Sequence, residues 1–94
     1  MSQPEMRVDS DGSKRWYLNG KLHCEDGPAV EWSDGEKWWY LNGKLHCEDG
    51  PAVEWPNGEK HWFLNGEEVT WKEVFRNANG DLEKECRILT YALT

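Results

Sequence analysis

Two identical segments of the sequence carry residue types that often bind metals or act as nucleophiles. Each reads His-Cys-Glu-Asp-Gly-Pro, and the two copies begin at His23 and at His46. Imidazole nitrogen and thiolate sulfur are preferred zinc ligands, so the pairs His23-Cys24 and His46-Cys47 raise the hypothesis of a zinc site. A cysteine near a histidine and a carboxylate is also the arrangement of a covalent nucleophile, so the same segments raise the hypothesis of a catalytic centre.

The spacing of these segments argues against both chemistries. Adjacent residues on a strand point to opposite faces, and equivalent positions in successive hairpins lie two strand spacings apart, roughly 10 Å. That separation exceeds the Cα distance that a disulfide can bridge, about 7 Å, and does not suit shared tetrahedral coordination. Catalysis ordinarily requires one asymmetric arrangement in a pocket, whereas these residues come as two copies. We therefore predict no catalytic residue, no metal and no cofactor, and we interpret Glu-Asp-Gly-Pro as a loop whose carboxylates accept backbone hydrogen bonds.

The two segments belong to a larger repeat. An Asp-Gly or Asn-Gly pair recurs every 23 residues, with its glycine first at Gly12. The stretches 11–32 and 34–55 differ at only two positions, where Ser and Arg in the first become Glu and Trp in the second. The third copy departs from the pattern at Glu67, as expected of a terminal repeat that caps a stack.

Turn dipeptides divide each full repeat into short strands. Asp-Gly and Asn-Gly tolerate the positive φ of tight hairpin turns, and the stretches between them are aromatic, β-branched and too short for helices. We predict an α+β fold that is mainly β: an antiparallel meander of β-hairpin repeats with a 23-residue period, followed by one or two short C-terminal helices. The predicted organisation is an N-terminal arm (1–10), repeats over 11–69 (11–33, 34–56 and a partial 57–69) and a C-terminal helical cap (70–94).

The C-terminal third predicts helices. Thr70 and Glu73 fit the capping box T-x-x-E, so a short helix should run from about Trp71 to Asn77 and end at Asn79-Gly80. A second helix is predicted by an apolar stripe at i, i+4, i+7 and i+11, which consists of Leu82, Cys86, Leu89 and Leu93. This stripe either packs on the sheet as a cap or forms an oligomer contact. The alternative for 82–94 is a strand, because CRILTYALT also contains β-formers.

Side chains alternate across a strand, so the repeat predicts two different sheet faces. Trp16, Trp39 and Trp62 define the expected core face, and the returning segments 30–32 and 53–55 are expected to add their valine and tryptophan to it. The second face is expected to bind a partner, and its predicted residues are Tyr17, Glu31, Trp38, Tyr40, Glu54, His61 and Phe63. That face includes the position that varies between repeats, occupied by Arg15, Trp38 and His61. The alternative is that its rings form cross-strand pairs that only stabilise the sheet.

Composition and charge limit the partner classes. The net charge is −7, so direct binding to nucleic acid phosphates is not expected. Two partner classes remain: a protein with a basic surface, and a neutral small ligand held by aromatic rings. The alternative is that the negative charge has no binding role and only keeps the protein soluble. No apolar run approaches the roughly 18 residues of a membrane span and the first residues lack a signal-peptide core, so we expect a cytoplasmic protein without membrane contact. The three cysteines are then expected to be reduced thiols.

The repeat resembles a known family. The segments WYLNGKLHCEDGPAVEWSDG and WYLNGKLHCEDGPAVEWPNG are similar to the MORN-like hairpin repeats of small bacterial and bacteriophage proteins, in which W-Y-x-N-G-K-x-H precedes D-G-P-A. The resemblance covers about Asp11 to Gly66 and departs from the family pattern at Cys24 and Cys47, where a basic residue is common. It implies a β-hairpin sheet used for protein association without enzymatic activity, and in a phage a small acidic protein that inhibits a host protein. A weaker resemblance, to the choline-binding repeats of exported cell-wall proteins, fits the Asp-Gly-Pro-Ala element poorly.

The leading hypothesis is a non-enzymatic, phage-encoded interaction module. It would dock its acidic aromatic face or its C-terminal helix on a basic surface of a host protein, for example a nucleic-acid-handling defence complex of the CRISPR type. One alternative is a small-ligand, carbohydrate-binding or choline-binding module with tryptophan platforms. The other is a structural homo-oligomer, such as a homodimer, formed through sheet edges or the C-terminal apolar stripe.

Overall fold

The computed structural model describes residues 3–93, within which ten strands are followed by two helices. The strands are β1 (Glu5–Val8), β2 (Lys14–Leu18), β3 (Lys21–Leu22), β4 (Val30–Glu31), β5 (Lys37–Trp38), β6 (Tyr40–Leu41), β7 (Lys44–Leu45), β8 (Val53–Glu54), β9 (Lys60–Leu64) and β10 (Glu67–Val69). The helices are α1 (Trp71–Ala78) and α2 (Leu82–Ala92). The predicted fold class is confirmed, and the C-terminal segment is a helix and not a strand. Residues 1, 2 and 94, which the predicted arm and cap include, lie outside the described residues.

The strands form an antiparallel meander. Eight of the described strands make one sheet in the order β1-β2-β4-β5-β8-β9-β10, with β3 paired to β2, while β6 and β7 form a separate hairpin. Each repeat contains an Asn-Gly hairpin turn in which both residues have positive φ, for example 53° at Asn19 and 78° at Gly20. Two successive positive φ values define the type I′ turn, whose twist matches that of the flanking strands. This backbone requirement explains why the Asn-Gly pair recurs in every repeat.

The first strand extends the repeat pattern toward the N-terminus. β1 pairs with β2 in the way that β4 pairs with β5. The turn after β1 is closed by a hydrogen bond from Asp9 N to Ser13 O of 2.8 Å, which matches the 2.9 Å bond from Trp32 N to Glu36 O in the next repeat. The segment 1–10, predicted as an arm, therefore contains a sheet strand that lacks the tryptophan by which the repeat is recognised.

The C-terminal helices cover one end of the sheet. Trp62 of β9 is buried against Val74 and Ala78 of α1 and Ile88 of α2. Asn79 ends α1 in the left-handed conformation, with φ of 51°, as the Asn-Gly pair predicts. Within residues 3–93, no helix is long and apolar enough to cross a membrane.

The start of α1 differs from the predicted capping box. Thr70 occupies the N-cap position, but its side chain makes no capping hydrogen bond. Glu73 does not complete the box either, because its carboxylate accepts a hydrogen bond from Arg76 at 2.8 Å. Packing of Val74 against Trp62 fixes the helix instead, since a helix this short is marginal without tertiary contacts.

The apolar stripe predicted for α2 does not cap the sheet. Leu82 and Leu93 are 79% and 74% exposed, Cys86 is exposed and Leu89 is half-buried. The helix instead buries Ile88 completely. This orientation places a lysine and an arginine of α2 on an acidic loop of the sheet, an ionic contact that apolar periodicity does not reveal.

Candidate functional site

One face of the sheet carries a row of side chains that crosses five strands. Residues directly opposite each other in antiparallel strands point to the same face. The register places Arg15 opposite Val30, and Val30 opposite Trp38. It then places Trp38 opposite Val53, and Val53 opposite His61. Trp38 therefore lies in the middle of this row, and the positions that vary between the repeats share one face.

Three rings form the centre of this face. Trp38 packs edge-on against Trp32 with ring centroids 5.9 Å apart, and it stacks on Tyr40 at 6.4 Å. Trp38 Nε1 donates a hydrogen bond to Glu36 at 3.1 Å, and desolvation, together with the neighbouring Asp34, raises the pKa of the Glu36 carboxyl. All three rings are half-buried. We define the aromatic face as Trp32, Trp38 and Tyr40 with Tyr17, His61 and Phe63 at its ends.

The helices lie on the opposite side of the sheet from the aromatic face. His61 and Trp62 are neighbours in β9, so their side chains point to opposite faces. Trp62 is the residue buried against the helices, whereas His61 has Nδ1 2.9 Å from the carboxylate of Glu68. At the other end, the Arg7 guanidinium lies 5.1 Å from the centre of the Tyr17 ring. Within residues 3–93, no helix covers the aromatic face.

The expected core positions of the returning tryptophans are wrong. Trp32 lies on the aromatic face, where the Arg15 guanidinium is 5.0 Å from the centre of its ring. Val30 shares that face and is buried at 2% exposure, while Trp55 is 39% exposed. The alternation along these segments is as predicted, but its phase is shifted by one residue, and such a shift moves every side chain to the other face.

The same shift moves two glutamates off the aromatic face. Glu31 lies opposite Lys14 and Lys37, and Glu54 lies opposite Lys37 and Lys60. Opposite charges alternate along this row, and facing pairs of this kind contribute about 0.2–1 kcal/mol each to a sheet. The glutamates predicted to bind a partner therefore belong to a charge ladder on the helix side of the sheet.

The two histidines with metal-ligand character hold turns. Nδ1 of His23 accepts a hydrogen bond from the backbone N–H of Asn42 at 2.9 Å, and Nδ1 of His46 accepts one from Asn65 at 2.9 Å. Each imidazole thus holds the Asn-Gly turn of the following repeat, which explains why histidine recurs. Among residues 3–93, no group of three or more His, Cys, Asp or Glu side chains is arranged to hold a metal ion.

The cysteine beside the second histidine is a protonated thiol. Cys47 is buried and its Sγ donates a hydrogen bond to Asp49 at 3.3 Å. Burial raises the pKa of the Cys47 thiol to about 12, so the thiolate required of a nucleophile is scarce at neutral pH. Cys24 is half-buried, and both cysteines are free.

Two acidic loops flank a groove of about 750 Å³ beside α2. We call them loop 1 (residues 23–28) and loop 2 (residues 46–51). Lys84 donates a hydrogen bond to Glu48 at 2.9 Å, and Arg87 donates one to Asp49 at 2.9 Å. The bond from Lys84 lowers the pKa of Glu48, and the same bond raises the pKa of Lys84. Sequence reasoning missed this contact, although Lys84 and Arg87 stand one helical turn apart and match the adjacent carboxylates of the loop.

No family model, curated protein or solved structure matches this chain. The resemblance to MORN-like repeats therefore depends on the repeat motif alone.

Proposed function

We propose that this protein is a non-enzymatic interaction module that binds a basic surface of a partner protein through its aromatic face. The observation that carries the proposal is the cluster of Trp32, Trp38 and Tyr40, three large rings that stay partly exposed on the face that the helices do not cover. Tryptophan and tyrosine are enriched at protein interfaces because they bury a large area with few rotatable bonds. An aromatic cluster of this size therefore fits the centre of an interface.

The charge of the protein favours a cationic partner. The net charge is −7. The two arginines beside the rings are paired with carboxylates, Arg7 with Glu5 and Arg15 with Asp9. Two further carboxylates lie on this face: Glu36 accepts a hydrogen bond from Trp38, and Glu68 lies 2.9 Å from His61. Lysine and arginine suit such a surface, because they pair with carboxylates and also stack on aromatic rings. The overall field also accelerates association with a basic protein. In the phage setting that the MORN-like resemblance implies, covering such a surface on a host protein would inhibit it.

The side chains with catalytic potential support a binding role. His23 and His46 are committed to turns through Nδ1, and Cys47 is a buried thiol with a raised pKa. A nucleophile has to be activated by a neighbouring base or by a lowered pKa. Asp49 accepts the hydrogen bond of the Cys47 thiol, but the raised pKa keeps the proton on sulfur, so the His46-Cys47 pair supplies no thiolate nucleophile.

Substitution of Trp38 tests the proposal. Trp38→Arg introduces the residue that stands at the same position of the first repeat, Arg15, so the fold is compatible with it. The change removes the central ring and adds a positive charge. We expect affinity capture from a bacterial lysate to recover a protein with a basic surface, capture to weaken as salt rises, and Trp38→Arg to abolish it.

The matched control for this experiment is Leu82→Ser. It removes an apolar side chain that is 79% exposed on α2, away from the aromatic face, and should leave capture unchanged. Capture of no basic protein, or equal capture by the wild type and Trp38→Arg, would refute the proposal.

One observation favours a small ligand as a second candidate. The Trp38 and Tyr40 rings are nearly parallel, with an interplanar angle of 16°, and they form a platform suited to a sugar ring or a quaternary amine. Titration with choline and with a glycan panel should then give a saturable change in tryptophan fluorescence that Trp38→Arg removes. An unchanged spectrum across the panel excludes this candidate.

A further inference from the structure

The acidic loop occurs twice with the same sequence, but lysine and arginine side chains bind the carboxylates of only one copy, loop 2, among the described residues. On loop 2 the lysine and arginine of α2 bind both carboxylates. Within residues 3–93, no lysine or arginine forms an ion pair with Glu25 or Asp26 of loop 1. The Glu25 side chain is 78% exposed, against 44% for its equivalent Glu48. Identical sequences therefore present one filled and one open set of carboxylates.

The space above the two loops differs in the same way. A Cβ atom placed on Gly50 of loop 2 would lie 3.2 Å from the Tyr91 ring of α2. A Cβ atom placed on Gly27, the equivalent residue of loop 1, would meet nothing within 4 Å. The position that an aromatic side chain fills on loop 2 is thus open on loop 1.

A buried polar atom of loop 1 also lacks the partner that its equivalent has. His46 Nε2 lies 3.2 Å from the carboxylate of Glu48, which is held in place by Lys84. His23 Nε2 is buried without a hydrogen-bond partner, in a side chain that is 9% exposed, and the nearest Glu25 oxygen is 3.5 Å away. A cation bound to Glu25 would place that carboxylate as Lys84 places Glu48, and the histidine would then gain its bond.

The apolar floor of the site is repeated as well. Trp39 and Leu41 line the groove beside loop 1. Their equivalents 23 residues later, Trp62 and Leu64, pack in the core formed with the helices. Loop 1 therefore has the floor, the carboxylates and the open space that loop 2 uses to hold a helix.

We propose that loop 1 and the groove beside it form a docking site for a basic helix of a partner protein. The helix would present the pattern that α2 presents to loop 2: a lysine, an arginine three residues later and an aromatic residue seven residues after the lysine. This site is distinct from the aromatic face, so the two surfaces are tested independently.

The dimensions of the sheet leave room for such a helix. Equivalent points of successive repeats are two strand spacings apart, about 10 Å. Packed helices have axes about 8–10 Å apart. A helix seated on loop 1 as α2 is seated on loop 2 would therefore lie directly beside α2. The α2 helix of a second copy is a poor occupant, because its Lys84, Arg87 and Tyr91 are already engaged with its own loop 2.

The probe for this site is a synthetic peptide with the sequence of residues 81–93 that carries Asp81→Gln, Glu83→Gln and Glu85→Gln, so that its lysine and arginine make it basic. A hydrocarbon staple joining positions 82 and 86, both exposed in the protein, fixes the helix without covering its docking side. Fluorescence anisotropy with the full-length protein should give saturable one-to-one binding that weakens with salt. Replacement of the peptide's lysine and arginine by alanine should weaken binding at least tenfold. In NMR spectra of the protein, the imidazole signals of His23 should shift more than those of His46.

Two variants locate the binding on loop 1. Glu25→Gln with Asp26→Asn should weaken binding at least tenfold. The control pair Glu5→Gln with Glu67→Gln removes the same charge from exposed positions outside the groove and should leave binding unchanged. Gly27→Phe fills the open space without changing charge and should also block the peptide. Circular dichroism verifies that each variant is folded.

Absence of binding, or equal binding by the wild type and both loop 1 variants, would overturn the proposal. Light scattering that shows a dimer which Glu25→Gln with Asp26→Asn converts to a monomer would also overturn it, because loop 1 would then belong to α2 of a second copy.

Discussion

Truncation of Ile88 measures how firmly α2 is held on the sheet. Among the described residues of α2, Ile88 is the one that is fully buried, at 0% exposure, against Trp62 and Val74. Ile88→Ala removes three carbon atoms, and at about 0.8 kcal/mol for each buried group the transfer loss is roughly 2.4 kcal/mol. The cavity left behind raises the expected loss to about 3–4 kcal/mol. Since domains of this size have free energies of unfolding of roughly 5–15 kcal/mol, the change is large.

Equilibrium urea unfolding, followed by tryptophan fluorescence, gives the free energy of unfolding. Ile88→Val should lose only about 0.5–1.5 kcal/mol. Leu82→Ala is the matched control on the same helix, because Leu82 is 79% exposed, and its effect should stay within about 0.5 kcal/mol. A loss below about 1 kcal/mol for Ile88→Ala, or a larger loss for Leu82→Ala, would show that the predicted leucine stripe and not Ile88 faces the sheet.

The contact between α2 and loop 2 predicts a pH-dependent stability. Lys84→Met keeps the apolar stem of the side chain and removes the charge. Because the Lys84 and Glu48 side chains are 38% and 44% exposed, we expect the free energy of unfolding near neutral pH to fall by less than about 1 kcal/mol. The pKa of Glu48 is lowered in the folded protein, so the stabilisation by the ion pair is fully present above the ordinary pKa of Glu48, 4.5. It is lost as the pH falls through the lower pKa of the folded state. The free energies of unfolding of the wild type and Lys84→Met should therefore converge in acid. A constant difference at all pH values would contradict this. The buried Cys47, with its pKa raised to about 12, should react with iodoacetamide after the exposed Cys86 in the native protein, and peptide mass spectrometry that finds Cys47 modified first would refute its burial.

The architecture could be predicted from local chemistry. The Asn-Gly pairs fix type I′ turns through their positive φ values, and the turns fix the hairpins. The helix boundaries followed from Thr70 and from Asn79-Gly80, although the predicted capping bond at Thr70 is not formed. These features depend on a few adjacent residues, so they are visible in the sequence.

The phase of the short strands could not be predicted. β4 and β8 are two residues long, and a loop separates each of them from the preceding strand. Alternation specifies a period of two but does not state which face comes first after a loop. The sheet pairing that places Val30 opposite Trp38 supplies this information, and it moves Glu31 away from the aromatic rings.

The orientation of α2 was hidden for a related reason. Its most regular apolar stripe begins at Leu82, but the buried residue is Ile88, which lies outside that stripe. Burial of Ile88 comes together with the bonds from Lys84 and Arg87 to loop 2. The partner residues in loop 2 are remote from α2 in the sequence, so the apolar periodicity of the helix does not predict these bonds.

The imidazole bond between repeats gives the array a direction. His23 holds the turn at Asn42 and His46 holds the turn at Asn65, whereas the third repeat has Val69 at the equivalent position and leads into the helices. Whole units of 23 residues could therefore be inserted ahead of the last one without altering the helical end. Each insertion would add one more open loop of the loop 1 kind. The number of repeats would then set the valency of the protein toward basic helices, and its avidity would grow with the length of the array.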